Sequence, residues 1–202
     1  MDKCCEECGL YQYSPCIHIN GRGVLDKTTN VILIGEAPGP DEAKKGRVFI
    51  GRAGRTLDSM LKAYQDDLVI YITNSVKCFP PISTTNPEKG FRVPKYTEIE
   101  LCKGFLIEEL ELASKDVLLM PLGNTALSAL LGKEHKGITK VLGQFTQVLM
   151  DNNVTYTALP NYHPSYILRN YHKREDFEKV MKIAVDYVKR RNSNCLQENN
   201  KQ

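Results

Sequence analysis

One carboxylate stands inside a short turn of glycine and proline at residues 35–39, which read GEAPG. Glycines let the backbone approach a ligand closely, and a glutamate held there could orient or deprotonate a water molecule. The same five residues are also typical of an ordinary turn between a strand and a helix with an exposed glutamate. Glu36 is therefore a candidate acid–base residue that needs partners from elsewhere in the chain.

A second segment, GRVFIGRAGRTLD at 46–58, surrounds Phe49 with glycines and arginines. Backbone N–H groups at the start of a helix here, together with Arg52 and Arg55, would suit a phosphate. Phe49 could stack on a planar ring, although composition alone favours a core residue.

Two further residues have suitable chemistry and follow apolar runs. Asn74, in TNSVKC, offers a donor beside an acceptor, which can match the edge of a pyrimidine. His163, in YHPSYILR, precedes a proline that holds it in an extended conformation. An asparagine that caps a strand exit and a structural histidine are the ordinary alternatives.

Composition sets broad limits on the class of protein. The chain has 202 residues, a net charge of +3 and 25% charged residues, as expected for one soluble domain. No apolar run approaches the ~18–20 residues that span a bilayer, and no signal segment follows Met1. We therefore expect a cytosolic or nuclear protein without a membrane partner. The mild positive charge is compatible with a nucleic-acid partner but does not indicate one.

In a reducing compartment, clustered cysteines indicate a metal, redox chemistry or burial rather than disulfides. Three of the seven fall within the first eight residues, and the full set is Cys4, Cys5, Cys8, Cys16, Cys78, Cys102 and Cys195.

Apolar runs and helical spacing predict the elements that position these residues. Continuous apolar runs predict buried parallel strands at Val31–Gly35, Leu68–Asn74, Val117–Gly123 and Tyr156–Pro160. Helical spacing predicts helices at Gly54–Tyr64, Glu98–Ser114, Asn124–Leu131 (with Asn124 at its N-cap) and Arg174–Arg191.

This alternation predicts a three-layer α/β/α fold with a central four-stranded parallel sheet, as one domain over residues 1–191. Residues 80–94 are predicted to form an irregular loop, and residues 192–202 a disordered tail. Because ligands bind beyond the carboxyl ends of such strands, the residues that follow each strand should meet at one edge.

Taken in order, the motifs resemble the iron–sulfur uracil-DNA glycosylases called family 4, the thermostable type. The matching segments are GEAPG at 35–39, GRVFIGRAGRTLD at 46–58, ITNSVKCFPP at 72–81 and YHPSYILR at 162–169, with PLGNTA at 121–126 and ITKVLGQ at 138–144 in support. The resemblance runs from about Cys5 to Arg169. It implies an enzyme of base excision repair that flips uracil out of DNA and cuts its N-glycosidic bond.

The resemblance also implies roles for single residues. Phe49 would stack on uracil, Asn74 would read its N3/O4 edge, and His163 would hydrogen-bond O2, where negative charge develops. Glu36 would position the attacking water and stabilise the positive sugar. The backbone of Gly35, Glu36 and Ala37 would contact the base, and Glu42 matches a second carboxylate near the pocket.

DNA contacts are expected around this pocket. The phosphate partners would be Arg52, Arg55, Lys77, Lys140 and Arg169, of which about half would be ordinary surface charges. Residues 164–168, including Pro164, Ser165 and Tyr166, could wedge into the duplex where the base leaves.

The family resemblance implies a [4Fe–4S] cluster on Cys5, Cys8, Cys78 and Cys102, which would staple the N-terminus and the 80–94 loop to the core. Ligand count alone would suit Zn²⁺ equally well. Cys5 is chosen over Cys4 on C-x-x-C spacing alone, and Cys4 and Cys16 are additional to the family pattern.

Three other functions stay open at this point. One is an enzyme of the same fold that removes further deaminated or mismatched bases. Another is a non-enzymatic DNA-binding module, and the third is an unrelated four-cysteine zinc protein. The chain carries no association signal, so a monomer is expected.

Overall fold

The computed structural model describes residues 3–14 and 18–199. Cys16 lies outside the described residues, as do the side chains of Cys4 and Cys195. The choice of Cys5 over Cys4 stays a prediction.

The chain alternates strands and helices, as the apolar runs predict. The strands are β1 (Arg22–Gly23), β2 (Val31–Gly35), β3 (Ile70–Asn74), β4 (Leu118–Pro121), β5 (Thr146–Leu149) and β6 (Thr155–Ala158). The helices are α1 (Lys3–Cys8), α2 (Pro40–Lys45), α3 (Arg52–Leu61), α4 (Tyr96–Leu112), α5 (Asn124–Leu131), α6 (Ile138–Val141), α7 (Pro164–Arg169) and α8 (Arg174–Asn199). Short 3-10 helices lie at Leu10–Tyr13, Lys62–Tyr64, Pro87–Lys89 and Tyr171–Lys173.

The strands form one mixed sheet in the order β1-β3-β2-β4-β6-β5. Its four central strands are the predicted ones, and they are parallel. The predicted count of four was too low, because β1 and β5 add antiparallel edges to the sheet. β1 has two residues, and in β5 only Val148 is buried, so neither has the continuous apolar run that marks the central strands.

Successive residues of the central strands pack into two separate cores. Val31 and Leu33 of β2 face one core, which also holds Phe177 and Met181 of α8. Ile32 and Ile34 face the other core, together with residues of α4 and α5. Both faces of the sheet are therefore covered, which is the physical reason for continuous rather than alternating apolar runs.

Two details of the helices depart from the sequence prediction. The N-cap of α5 is Gly123 rather than Asn124, whose side-chain Oδ1 accepts a hydrogen bond from the Ile138 N–H at 2.8 Å. Helix α8 continues to Asn199, so the predicted disordered tail was wrong for residues 192–199. Among the described residues, no helix has the length and apolarity required to cross a bilayer.

The strand order reverses at β2, because the chain passes from β2 to β3 on one side and then returns to β4 on the other. In open α/β sheets the crevice beside such a switch point is the preferred ligand site. Here the GEAPG turn follows β2 and the PLGNTA turn follows β4, so these two motifs face the crevice together.

Candidate active site

Gly35, Phe49 and Asn74 are in close contact at the carboxyl edge of the sheet. Gly35 ends β2 and Asn74 ends β3, and the two residues pair in register. A Cβ atom on Gly35 would overlap both Oδ1 of Asn74 and Cζ of Phe49. The absent side chain thus lets the amide and the aromatic ring pack directly against the backbone of Gly35. Asn74 is only 2% exposed, so its amide is buried at this edge of the sheet.

The loop that carries Phe49 is tightly constrained. Phe49 has a φ of 52°, a left-handed conformation that is unfavourable for a residue with a side chain. Gly54 of α3 permits it, because a Cβ there would collide with the backbone of Phe49. Glu42 of α2 holds the far end of the loop by accepting a hydrogen bond from the Gly51 N–H at 3.0 Å. Glu42 therefore helps to hold the loop that carries the Phe49 ring.

Glu36 follows β2 and is half-buried, as is Ala37 next to it. Its Oε2 accepts a hydrogen bond of 2.5 Å from the hydroxyl of Thr125, the second residue of α5. Burial raises the pKa of Glu36 above its usual value, and the Thr125 hydrogen bond opposes that rise. Sequence reasoning noted the PLGNTA match but gave Thr125 no role.

His163 precedes α7 and faces Phe49, with ring centroids 5.9 Å apart. Burial, and secondarily the nearby Arg169, lowers the pKa of His163 to about 4, so the imidazole is neutral at neutral pH. Its Nδ1 accepts a hydrogen bond from the Ser165 N–H at 3.1 Å, which leaves the proton on Nε2. The free Nε2–H can therefore donate to a ligand without carrying a charge.

The basic residues predicted to meet DNA divide into two groups. Arg52, Arg55, Lys140 and Arg169 are exposed on α3, α6 and α7. Lys77 is 1% exposed, and its Nζ lies 2.6 Å from Oε2 of Glu109 and 2.7 Å from Oγ1 of Thr73. The prediction that Lys77 contacts a phosphate was wrong, because its charge is neutralised inside the protein.

Most of helix α7 is not available for the entry into a duplex that is predicted for residues 164–168. Pro164 and Ile167 are buried, the ring of Tyr166 packs on Tyr162 at 5.0 Å, and the Ser165 hydroxyl lies 2.7 Å from Nδ1 of His163. Leu168 is 48% exposed and is the apolar side chain of α7 that reaches outward.

Cys5, Cys8, Cys78 and Cys102 line one pocket, although they come from α1, the exit of β3 and α4. The Lys77 N–H donates to Sγ of Cys102 at 3.2 Å, and the His18 N–H donates to Cys78. Burial raises the pKa of the Cys102 thiol to about 12. Three buried cysteines and the half-buried Cys8, with backbone N–H donors to Cys78 and Cys102, form a donor set suited to an iron–sulfur cluster.

Two further observations bear on the cysteine pocket. Within residues 3–14 and 18–199, no group of three or more His, Cys, Asp or Glu side chains is arranged to hold a single metal ion. His18 also lines the pocket, with Nε2 only 2.7 Å from Sγ of Cys5 and its ring packed on Phe105. No pattern in the sequence distinguishes His18, because its partners are distant along the chain.

This combination defines a class of α/β protein with a carboxylate, an amide, a neutral imidazole and an aromatic ring beside the switch point of a parallel sheet. Comparison with known families agrees with that class, since the model of the Uracil DNA glycosylase superfamily matches residues 22–186.

Curated relatives narrow the class further. The type-4 uracil-DNA glycosylase of Thermotoga maritima is 37% identical over 171 residues, which cover 83% of this chain and 80% of that protein. Those of Sulfurisphaera tokodaii and Archaeoglobus fulgidus are 31% and 32% identical, over 90% and 88% of this chain and 80% and 85% of their own lengths. The chain therefore belongs to the uracil DNA glycosylase superfamily, among its type-4 members.

Proposed function

We propose that this protein is a uracil-DNA glycosylase, which turns uracil out of DNA and hydrolyses its N-glycosidic bond to leave an abasic site. The membership of the type-4 group supports this activity. The single observation that carries it is the meeting of the Phe49 ring and the Asn74 amide at Gly35, beside the switch point of the sheet. A base flipped out of the duplex needs such a ring to stack on and such an amide to hydrogen-bond its edge.

Base recognition in this proposal uses the amide and the ring. Phe49 stacks on the face of uracil, and Asn74 meets the N3–H and O4 edge with its acceptor and donor. Cytosine carries an amine in place of O4, which would put a donor against a donor. Rejection of thymine, which differs by one methyl group, must be steric and would come from side chains between Ala37 and Phe49.

Bond cleavage separates charge between the base and the sugar. The C1′–N1 bond breaks with its electron pair on uracil, and the neutral Nε2–H of His163 donates to O2, where the negative charge develops. Glu36 stabilises the positive sugar and orients a water molecule that attacks C1′. The proton lost by that water passes to the Glu36 carboxylate, which completes the hydrolysis.

A cleavage assay tests the activity and its breadth. Oligonucleotides with U:G, U:A, T:G or hypoxanthine pairs are incubated with the protein, and abasic sites are then cleaved with alkali. We expect cleavage at uracil, and Glu36→Gln and Asn74→Ala should each lose most of it. Absence of uracil cleavage by the natural protein would reject the proposal. Comparable T:G cleavage would favour an enzyme of broader specificity.

We further propose that Cys5, Cys8, Cys78 and Cys102 hold a [4Fe–4S] cluster. Four cysteines that line one pocket supply the ligand set of such a cluster, and membership of the type-4 group favours it over Zn²⁺. When bound, the cluster would join α1, the exit of β3 and α4 as a structural link, outside the bond-cleavage step.

Matched cysteine variants test this assignment. Cys78→Ala and Cys5→Ser should lose iron and brown colour and melt at a lower temperature, whereas Cys4→Ser should keep both. Full iron content in Cys78→Ala would contradict the proposal. Loss of iron in Cys4→Ser but not in Cys5→Ser would show that Cys4, rather than Cys5, is the ligand.

The DNA partner would approach the same edge of the sheet. Arg52, Arg55, Lys140 and Arg169 are exposed there and suit phosphates, and Leu168 is the apolar residue placed to enter the duplex.

A further inference from the structure

Thr125 contacts Glu36 across the crevice beside the switch point. It lies 89 positions further along the chain, is 6% exposed, and donates its hydroxyl to Oε2 of Glu36 at 2.5 Å. A threonine hydroxyl carries one proton to donate, so this contact fixes one oxygen of the carboxylate.

The turn that carries Thr125 is itself held in place. The Leu122 N–H donates to Ile34 O at 2.8 Å, and the Gly123 N–H donates to Asn161 O at 2.9 Å. Gly123 has a φ of 85°, and a Cβ there would lie 3.2 Å from Cβ of His163. The turn therefore packs against both sides of the site, and the Thr125 hydroxyl is a fixed point rather than a mobile side chain.

We propose that Thr125 is a positioning residue for catalysis, which occupies Oε2 of Glu36 so that Oε1 faces the attacking water. This inference rests on the proposed glycosylase activity and the role of Glu36 in it. With Oε2 bound, the water proton has one acceptor, Oε1, and the oxygen of the water is directed at C1′. Without the hydroxyl, the carboxylate could rotate and present either oxygen.

The hydrogen bond also affects how Glu36 ionises. Burial raises the pKa of Glu36 and Thr125 lowers it, so loss of the hydroxyl should raise the pKa further. Glu36 would then lose its charge at a higher pH as the solution is acidified, and activity would fall with it. The other titratable side chains of the site are Glu42, which binds the Gly51 N–H, and His163, which gains a proton only near pH 4.

Two substitutions of similar size separate positioning from packing. Thr125→Val removes the hydroxyl with nearly unchanged shape, and Thr125→Ser keeps it. Single-turnover excision of uracil is measured for both from about pH 5 to about pH 9. A hydrogen bond to a charged group is worth about 1.5–3 kcal/mol, so Thr125→Val should be roughly 10-fold to 100-fold slower. The acid limb of its pH profile should also move to higher pH, whereas Thr125→Ser should resemble the natural protein.

The outcomes distinguish this inference from the proposed function. If the natural protein and Glu36→Gln are equally inactive, the function itself fails. If Glu36→Gln is inactive but Thr125→Val keeps the natural rate and pH profile, the inference is overturned. It is also overturned if both Thr125 variants are slow with an unmoved acid limb, since that result indicates packing alone. Should Thr125→Val melt early, Thr125→Ala removes the same hydroxyl without a branched side chain and is held to the same criteria.

Discussion

The charge state of His163 follows from its immediate surroundings. Burial and Arg169 lower its pKa from 6.5 to about 4, and the Ser165 N–H occupies Nδ1. In the proposed mechanism, His163 would act as a neutral hydrogen-bond donor to O2 of the departing uracil. Its contribution would then come from a fixed tautomer rather than from a change of charge.

NMR of the imidazole nitrogens tests this state. We expect Nε2 to carry the proton at neutral pH and the ring to titrate near pH 4, with Arg169→Gln moving the midpoint upward. Because the folded pKa lies below the unfolded one, the stability contributed by neutral His163 is complete above pH 6.5 and declines as pH falls toward 4. A midpoint near 6.5 in the folded protein would contradict the assignment.

Adding a single methyl group at Gly35 provides a second test at the level of single residues. Gly35→Ala would place a Cβ against Asn74 and Phe49, so uracil excision should fall steeply while the protein stays folded. Gly104→Ala is the matched control, because nothing lies within 4 Å of its Cβ position on α4. The control should keep full activity and gain about 0.5–1 kcal/mol of unfolding free energy, since alanine is the better helix residue. Equal activity in both variants would show that the close packing of Asn74 and Phe49 on Gly35 is not needed for excision.

A buried polar network behind the site joins α4 to the sheet. Glu109 of α4 accepts hydrogen bonds from Lys77, from the Tyr71 hydroxyl of β3 at 3.1 Å and from the Gly21 N–H at 3.2 Å. Burial lowers the pKa of Lys77, and Glu109 opposes that change. The network connects the sheet, α4 and the segment before β1, so Lys77 acts on stability rather than on DNA.

Urea unfolding distinguishes these two roles of Lys77. Lys77→Met leaves Glu109 buried without its counter-charge and should cost about 3–5 kcal/mol of unfolding free energy. Lys103→Ala breaks the pair with Asp151, which is exposed at one end, and should cost no more than about 1 kcal/mol. A small loss of unfolding free energy in Lys77→Met, together with a weaker salt dependence of DNA binding, would instead support the predicted contact of Lys77 with a phosphate.

At the scale of the whole molecule, the two edges of the sheet should differ in their contact with DNA. Arg52 and Arg169 lie at the carboxyl edge of the parallel strands, whereas Lys189 pairs with Asp67, which precedes β3 at the opposite edge. The charge of the whole chain, +3, does not reveal this difference.

The salt dependence of DNA affinity measures this difference between the two edges of the sheet. Each phosphate contact contributes a slope of about 0.7–0.9 in a plot of log affinity against log salt concentration. Arg52→Gln and Arg169→Gln should each reduce the slope by about that amount, while Lys189→Gln should leave it unchanged. An equal reduction in all three variants would indicate general charge attraction rather than a defined DNA-binding edge.

The sequence by itself determined the features that local patterns encode. Continuous apolar runs identified the four parallel strands, because strands covered on both faces have no polar side. The order of strands and helices then required Glu36, Asn74 and His163 to lie at one edge, since each follows a parallel strand. The family motifs added chemistry to residues whose types alone were ambiguous.

Only the tertiary structure decided which polar groups meet. Thr125 binds Glu36 across 89 positions and Lys77 binds Glu109 across 32, and no periodicity links residues so far apart. Lys77 looked like a surface charge because its neighbours in sequence do not show that α4 covers it. The edge strands β1 and β5 are similarly defined by pairing with β3 and β6, because neither contains a continuous apolar run. A side chain's type can be read from the sequence, but its burial and partner depend on the packing of distant segments.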